Sequence, residues 1–314
     1  MRRIAFLKIH RITSVRANQN VVNAVGSWPS YQEKEMNRTD LSEHLFVGFC
    51  FAVFGIVASA RTTAADVMVG TTVPASQQVA LNRIDNSTWN ALLKKYVDHQ
   101  GMVQYAAWKR NAGDLQTLDQ YLQLLSHSNG QGTREEQLAF WINAYNAVTV
   151  KGILKEYPTS SIRNHTAKIF GYNIWKNLKL IVGGKPVSLD EMEHQVLRKM
   201  GEPRIHFAIV CASIGCPRLL NEAYVADRLD EQLTLNAKAF FADPSKFRYD
   251  ANSGVFYMSP ILEWFGDDFG SSQGSQLQKV SAWLPDSAAR HAAASGKGKM
   301  NFLDYDWGLN EFNG

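Results

Sequence analysis

TREEQLAFWINAYNAVTVKGILKEYP, residues 133–158, sets both ends of one helix and the surroundings of everything between them. Thr133 followed three residues later by Glu136 is a capping box, in which hydroxyl and carboxylate each satisfy a backbone N–H that a helix start leaves bare. Tyr157-Pro158 is the stop, because a proline disfavours helical backbone in the residue before it. Between them Leu138, Trp141, Ile142, Tyr145, Val148, Thr149, Gly152 and Ile153 line one face, while Phe140 and Leu154 fall on the opposite one. A helix that is apolar nearly all round belongs inside a domain.

On the N-terminal side, Trp89, Leu92, Leu93, Tyr96 and Val97 repeat at helical spacing up to Gly101. Leu115, Leu118, Tyr121, Leu122 and Leu125 mark a further helix, closed by Asn129-Gly130. Residues 61–81 read as a loose lead-in, rich in Thr, Ala and Gln and containing Pro74. On the C-terminal side, residues 178–182 and 185–188 flank Gly183-Gly184 as a hairpin. Ser188 and Glu191 form a second capping box and open a helix to about Met200, which Gly201 and Pro203 close. Residues 205–211 are a nearly continuous apolar run, short enough for a buried central strand. A helix over 225–242 follows, then a hairpin of 247–249 with 255–258 around Asn252-Ser253-Gly254. Short helices near 261–264 and 276–284 and a strand over 301–307 complete the reading. Helices first, then strands mixed with helices, predict an α+β fold. The expectation is a single domain over 82–312, with N-terminal helices and the buried helix packed on a small, mostly antiparallel sheet.

The 314 residues are 45% hydrophobic and 20% charged, which excludes disordered and low-complexity classes. The first 60 differ from the rest. Residues 45–60, LFVGFCFAVFGIVASA, carry no charge. As a helix they reach about 24 Å, short of the ~30 Å bilayer core. They end in Ala58-Ser59-Ala60 with Arg61 behind. This predicts a secretory signal with its apolar region at 45–57 and cleavage after Ala60; an uncleaved signal anchor tethering the protein to a membrane is the alternative. The signal would begin near Met36, so translation starts at Met1 or Met36. Its 36–44 n-region holds Arg38 but also Asp40 and Glu43. Cleavage removes seven Lys/Arg and four Asp/Glu, leaving 26 basic against 25 acidic residues. Neither nucleic acid nor a stable membrane span is expected of such a chain, and the expected location is periplasmic or secreted. Cys50 leaves with the leader, so Cys211 and Cys216 remain and can pair without a remainder.

Four features carry chemistry. Asn143 and Asn146 stand three apart on one flank of the buried helix, where an amide must find partners. They either brace a neighbouring backbone or line a pocket and hold substrate. His206 lies inside the apolar run, as a packed core residue or as a general base. Cys211-Ala-Ser-Ile-Gly-Cys216-Pro217 reads as a disulfide or as a reactive thiol. A direct His206–Cys211 dyad fails on a strand, because five extended residues span about 16 Å with opposite side-chain parity. A catalytic cysteine would borrow its base from His194 or His165. His206, Cys211 and Cys216 offer three metal ligands at non-standard spacing, so no metal is expected. The fourth feature is an acidic and aromatic set: Glu263, Trp264, Asp267, Asp268, Asp304, Tyr305, Asp306 and Trp307. These do acid–base work or bind a cation, or else cap helices and line turns. No G-x-S-x-G, H-E-x-x-H, P-loop or Rossmann glycine pattern is present, and no cofactor is expected.

FWINAYNAVTVKGIL (140–154), SLDEMEHQVLR (188–198), RIHFAIVCASIGCPRL (204–219), SPILEWFGDDFG (259–270) and NFLDYDWGLN (301–310) together resemble the family catalogued as domain of unknown function 547. The resemblance runs from about residue 85 to 311. It implies that Asn143, Asn146, His206, Cys211, Cys216 and Asp306 sit in family-defining blocks. The family also occurs in intracellular settings, so the resemblance alone does not demand a Cys211–Cys216 bond. A remoter similarity is to papain-like and transglutaminase-like thiol enzymes, whose nucleophilic cysteine opens a buried helix; here that helix has no cysteine.

Two functions follow. The first choice is an exported, pocket-bearing enzyme for hydrolysis or acyl transfer, its pocket between the buried helix and the His206 strand. Asn143 and Asn146 would orient substrate, with His206 as base or Cys211 or Cys216 as nucleophile. The other is a non-enzymatic exported binding or accessory protein with a structural Cys211–Cys216 disulfide. In both, the expected partner is a small polar ligand or a peptide.

Overall fold

The computed structural model describes residues 66–166 and 172–312; the leader, its apolar segment and the cleavage position lie outside them. The chain enters through β1 (Val67–Val69), then α1 (Ser87–Tyr96), α2 (Tyr105–Arg110) and α3 (Ala112–Ser126). The long helix is α4 (Arg134–Glu156), with both halves of the Thr133/Glu136 capping box formed and Tyr157 at its C-cap. A short α5 (Ile174–Asn177) leads into the hairpin β2 (Leu178–Val182) and β3 (Lys185–Ser188). Behind it α6 (Leu189–Glu191) runs without a break into a π-helical turn, Met192–Leu197, and a 3-10 turn, Arg198–Met200.

The C-terminal part comprises α7 (Leu229–Ala242), the hairpin β4 (Phe247–Asp250) and β5 (Val255–Met258), and the short helices α8 (Ile261–Trp264) and α9 (Gly266–Phe269). It closes with α10 (Gln273–Val280), α11 (Ser287–Ala294) and β6 (Lys299–Phe302). The fold is α+β, as the order of elements predicts. The expected single sheet is instead two three-stranded sheets, and each is mixed. β1 joins β2 in parallel beside the antiparallel β2–β3 hairpin. β6 joins β5 in parallel beside the antiparallel β4–β5 hairpin. Both hairpins announce themselves through local turn residues. Both third strands come from distant chain, one of them from the stretch read as a loose lead-in. The short α2 and α11 also go unannounced, because six to eight residues hold too few turns for a periodic pattern.

Two apolar cores lie under these sheets. The first surrounds α4, of which Leu138, Ile142, Val148, Val150 and Ile153 are at most 1% exposed. The second gathers Phe207, Phe240, Phe241, Phe247, Phe256 and Met258. The segment read as a strand, residues 205–211, runs between the two cores. Ile205, Ala208 and Val210 face the first and Phe207 the second. That double burial explains the unbroken apolar run, but the segment is not a strand. Pro203–Phe207 is a 3-10 helix started by Glu202, whose side chain accepts from Arg204 N, with Pro203 in its first turn. Side-chain amides take the place of strand neighbours for the backbone that follows. Phe207 O accepts from Asn236 Nδ2, and Ala208 O from Asn146 Nδ2.

Gly152 is where α4 meets α5 and β2. A Cβ there would stand 2.4 Å from Ile174 Cδ1 and 2.9 Å from Leu178 Cδ2. Gly152→Ala therefore trades up to ~1 kcal/mol of helix propensity against about 1–3 kcal/mol of overpacking. The expected result is a net loss of about 1–2 kcal/mol in urea unfolding. Adding Ile174→Val, which deletes the closest atom, should recover part of it; a gain in stability from Gly152→Ala alone would show that α5 moves freely. Among the described residues no helix is long and apolar enough to cross a membrane.

Candidate functional site

Asn143 and Asn146 each clasp a backbone donor and a backbone acceptor. Asn143 Nδ2 donates to Tyr224 O at 2.8 Å, and Asn143 Oδ1 accepts from Tyr224 N at 3.0 Å. Asn146 Nδ2 donates to Ala208 O at 3.0 Å, and its Oδ1 accepts from Val210 N at 3.0 Å. Both residues are 1% exposed. One flank of one helix thus pins two separate loops, the second being the approach to Cys211.

Cys211 and Cys216 form a disulfide, with Cα atoms 6.2 Å apart. The loop between them lies against a C-terminal strap, residues 305–310. Ile214 N donates to Gly308 O, Gly215 N to Asp306 O, and Asn310 N to Ala212 O, at 2.8, 2.8 and 3.2 Å. Gly215 is needed for this approach, since a Cβ would sit 2.9 Å from Asp306 O. Tyr305 reaches over the bond, its hydroxyl 3.2 Å from each sulfur and 3.1 Å from Ser213 Oγ.

His206 turns away from the sulfurs. Its side chain is 1% exposed, and Nε2 meets Asp268 Oδ2 at 2.7 Å. Phe265 stacks on the imidazole at 4.2 Å between centroids. Asp268 also receives Arg198, through Nε on Oδ2 at 2.6 Å and Nη2 on Oδ1 at 2.9 Å. Burial pushes the Asp268 carboxyl up, but the hydrogen bonds from His206 and Arg198 outweigh it and hold the group well below the usual carboxylate range. Arg198 Nη1 donates to His194 Nδ1 at 3.1 Å, and His194 Nε2 faces Asp190 Oδ1 at 3.9 Å. A guanidinium has no acceptor, so His194 Nδ1 accepts. Beneath them the buried Tyr145 of α4 donates to Glu193 Oε2 at 3.1 Å. Burial, together with Glu193, drives that phenol well above its ordinary range. Glu193 and His194 ride on the π turn, a distortion that recurs at functional positions.

The aromatic and acidic set gathers beside the disulfide. Trp264 lies 4.8 Å from Tyr305 and 5.8 Å from Trp307, with Tyr305 and Trp307 at 4.6 Å. Arg163 sits over the Trp307 ring at 5.2 Å. Glu263, Asp267, Asp304 and Asp306 are exposed around it. Asp306 accepts from Gly308 N at 2.8 Å, a turn role.

Of the residues singled out by sequence, Cys211 and Cys216 come together with each other and with Tyr305, and His206 with Asp268. His206 does not pair with either cysteine. Nor do the alternative bases: His194 is held by Arg198, and His165 Nε2 by Thr159 Oγ1 at 2.9 Å. Arg198, Glu193 and Tyr145 complete the cluster without a local sequence signal, because the π turn at Met192–Leu197 shifts the phase of the helix between His194 and Arg198. A cavity of about 610 Å³ opens elsewhere, lined in part by Arg83, Asn90, Lys94, Glu222 and Arg228, and none of the five candidate residues Asn143, Asn146, His206, Cys211 and Cys216 lines it.

Fold and site define an α+β domain whose disulfide-closed loop is clamped between a buried helix and a C-terminal strap, beside a His–Asp–Arg cluster. The family model described as Protein of unknown function, DUF547, matches residues 130–241, and so bears out the resemblance read from the sequence. That span holds Asn143, Asn146, His206, Cys211 and Cys216 but not Asp268 or the strap. No curated protein and no solved structure matches the chain.

Proposed function

We propose that this is an exported, non-enzymatic binding or accessory protein, recognising a small polar ligand or a peptide through the aromatic and acidic face around the Cys211–Cys216 loop. One observation carries the reading: each side chain cast in catalysis is already engaged. The sulfurs are bonded to each other, His206 is buried on Asp268, and both amides are clasped to backbone through donor and acceptor alike. Rings and exposed carboxylates side by side supply the stacking and hydrogen bonding that polar ligands require. The disulfide supports an oxidising compartment, and the apolar segment at 45–60 supports export.

The test is a thermal-shift screen of the mature protein against oligosaccharides, amines and short peptides, with chromogenic ester and amide substrates run in parallel. A ligand that raises Tm in the wild type and not in Trp264→Ala or Trp307→Ala is the expected outcome. Turnover of an ester or amide that disappears in folded His206→Ala would overturn the proposal in favour of a hydrolase.

A further inference from the structure

We propose that the Cys211–Cys216 bond is exchangeable, and that the protein takes up two electrons from an external dithiol through attack at Cys211 Sγ. This does not depend on what the aromatic face binds, and it takes the bonded sulfurs as the oxidised half of a redox couple rather than as a structural bridge. The first ground is access. Cys216 is 5% exposed, whereas Cys211 is half-buried, and the loop between them carries Ile214 at 42% exposure, one of few large apolar side chains open among the described residues. Cys211 is therefore the more accessible of the two cysteines to an incoming thiol.

The second ground is the set of donors aimed at the sulfurs. Cys211 N–H points at Cys216 Sγ at 2.9 Å and the Tyr305 hydroxyl lies 3.2 Å from it. Ser213 Oγ and the same Tyr305 hydroxyl lie 3.2 Å from Cys211 Sγ. A disulfide sulfur is a weak acceptor and gains little from such donors, while a thiolate gains a charge-assisted hydrogen bond. The arrangement thus stabilises the cleaved state more than the closed one, and makes Cys216 a good leaving group. The third ground is backbone conformation. Ala212, inside the ring, has φ of 56°, and is the one non-glycine residue with positive φ among the described residues. An L-residue is disfavoured in that region, and ring closure is one of the constraints that hold it there.

The exchange balances as follows. A thiolate of the dithiol attacks Cys211 Sγ, the S–S bond breaks, and its electron pair leaves on Cys216 Sγ, received by Cys211 N–H and Tyr305 O–H. The second thiol of the donor then attacks the mixed disulfide, closing the donor's own disulfide and releasing Cys211. Two electrons and two protons pass from the dithiol, which is oxidised, to the cysteine pair, which is reduced.

The experiment equilibrates the mature protein in graded ratios of reduced to oxidised glutathione, and separately of dithiothreitol. Thiols are trapped with an alkylating agent and read by mass. Wild type is expected to be reduced in glutathione buffers that leave ordinary structural disulfides closed. Tyr305→Phe is expected to shift the equilibrium about tenfold toward the disulfide, or about 30 mV, with Ser213→Ala shifting it in the same direction should the tyrosine variant not fold. Cys216→Ser is expected to hold a mixed disulfide at Cys211. A bond that stays closed throughout the glutathione series, or a constant that neither variant moves, overturns the proposal.

Discussion

Asn146→Ala is expected to cost about 4 kcal/mol of stability. The side chain holds Ala208 O and Val210 N, whose residues are at most 1% exposed. Deleting it leaves one buried donor and one buried acceptor without partners, at about 1–3 kcal/mol each. The corresponding fall in Tm is about 10 °C for a domain of this size. Asn146→Asp keeps the acceptor but loses the donor, and sets a buried carboxylate against a carbonyl, so it should be no better. Asn143→Ala removes the equivalent clasp on Tyr224. The two clasps lie one helical turn apart and meet at Asn236, whose Nδ2 donates to Phe207 O and to the Tyr224 hydroxyl, so the double variant should depart from the sum of the two by about 0.5 kcal/mol or more. Urea unfolding of the four variants measures this. A loss under 1 kcal/mol at Asn146 would mean that water replaces the amide, and that the loop before Cys211 is not clamped by α4.

Those clasps also show where sequence reading succeeds and stops. The helix bearing both amides was legible because its signals are local: Thr133 and Glu136 at one end, Tyr157-Pro158 at the other, and apolar residues at helical spacing between. The hairpins at Gly183-Gly184 and Asn252-Ser253-Gly254 were legible for the same reason. Residues 205–211 were misread because an unbroken apolar run describes any backbone buried on both sides. What decides between strand and irregular chain is the source of the backbone partners. Here these are the side chains of Asn146 and Asn236, far away in sequence. β1 stays hidden for the same cause, since three residues carry no periodicity and their partner is remote, while the strand expected over 301–307 meets β6 only at 301 and 302.

The site divides along the same line. Cys211 and Cys216 stand five apart, and their pairing was among the readings the sequence offered. Tyr305 and Asp268 stand out in the sequence only as members of an acidic and aromatic set. Nothing in their local sequence assigns one to the sulfurs and the other to His206. Arg198 was missed because the π turn at Met192–Leu197 changes the phase of the helix just before it. An argument based on a regular helical face cannot place a side chain beyond such a turn.

The second large effect is at Asp268, and its sign can be worked out. The folded-state carboxyl is held below its ordinary value by His206 and Arg198 against the opposing effect of burial. A depressed carboxylate contributes stability that is fully present above the unfolded pKa, about 3.9, and is lost as pH falls through the folded value. Asp268→Asn removes that contribution. At pH 7 it leaves Arg198 and the 1%-exposed His206 without their shared anion, and an amide NH₂ then faces N–H donors. The expected loss is about 3 kcal/mol, the scale for breaking one side of a largely buried ion pair. Below about pH 5 the wild type should weaken more steeply than the variant, so the two urea midpoints approach each other toward pH 2. A gap that stayed constant from pH 7 to pH 2 would instead assign the loss to packing around Phe265, and the charge on Asp268 would not be what holds α9, the 3-10 turn of Arg198 and the 3-10 helix of His206 together.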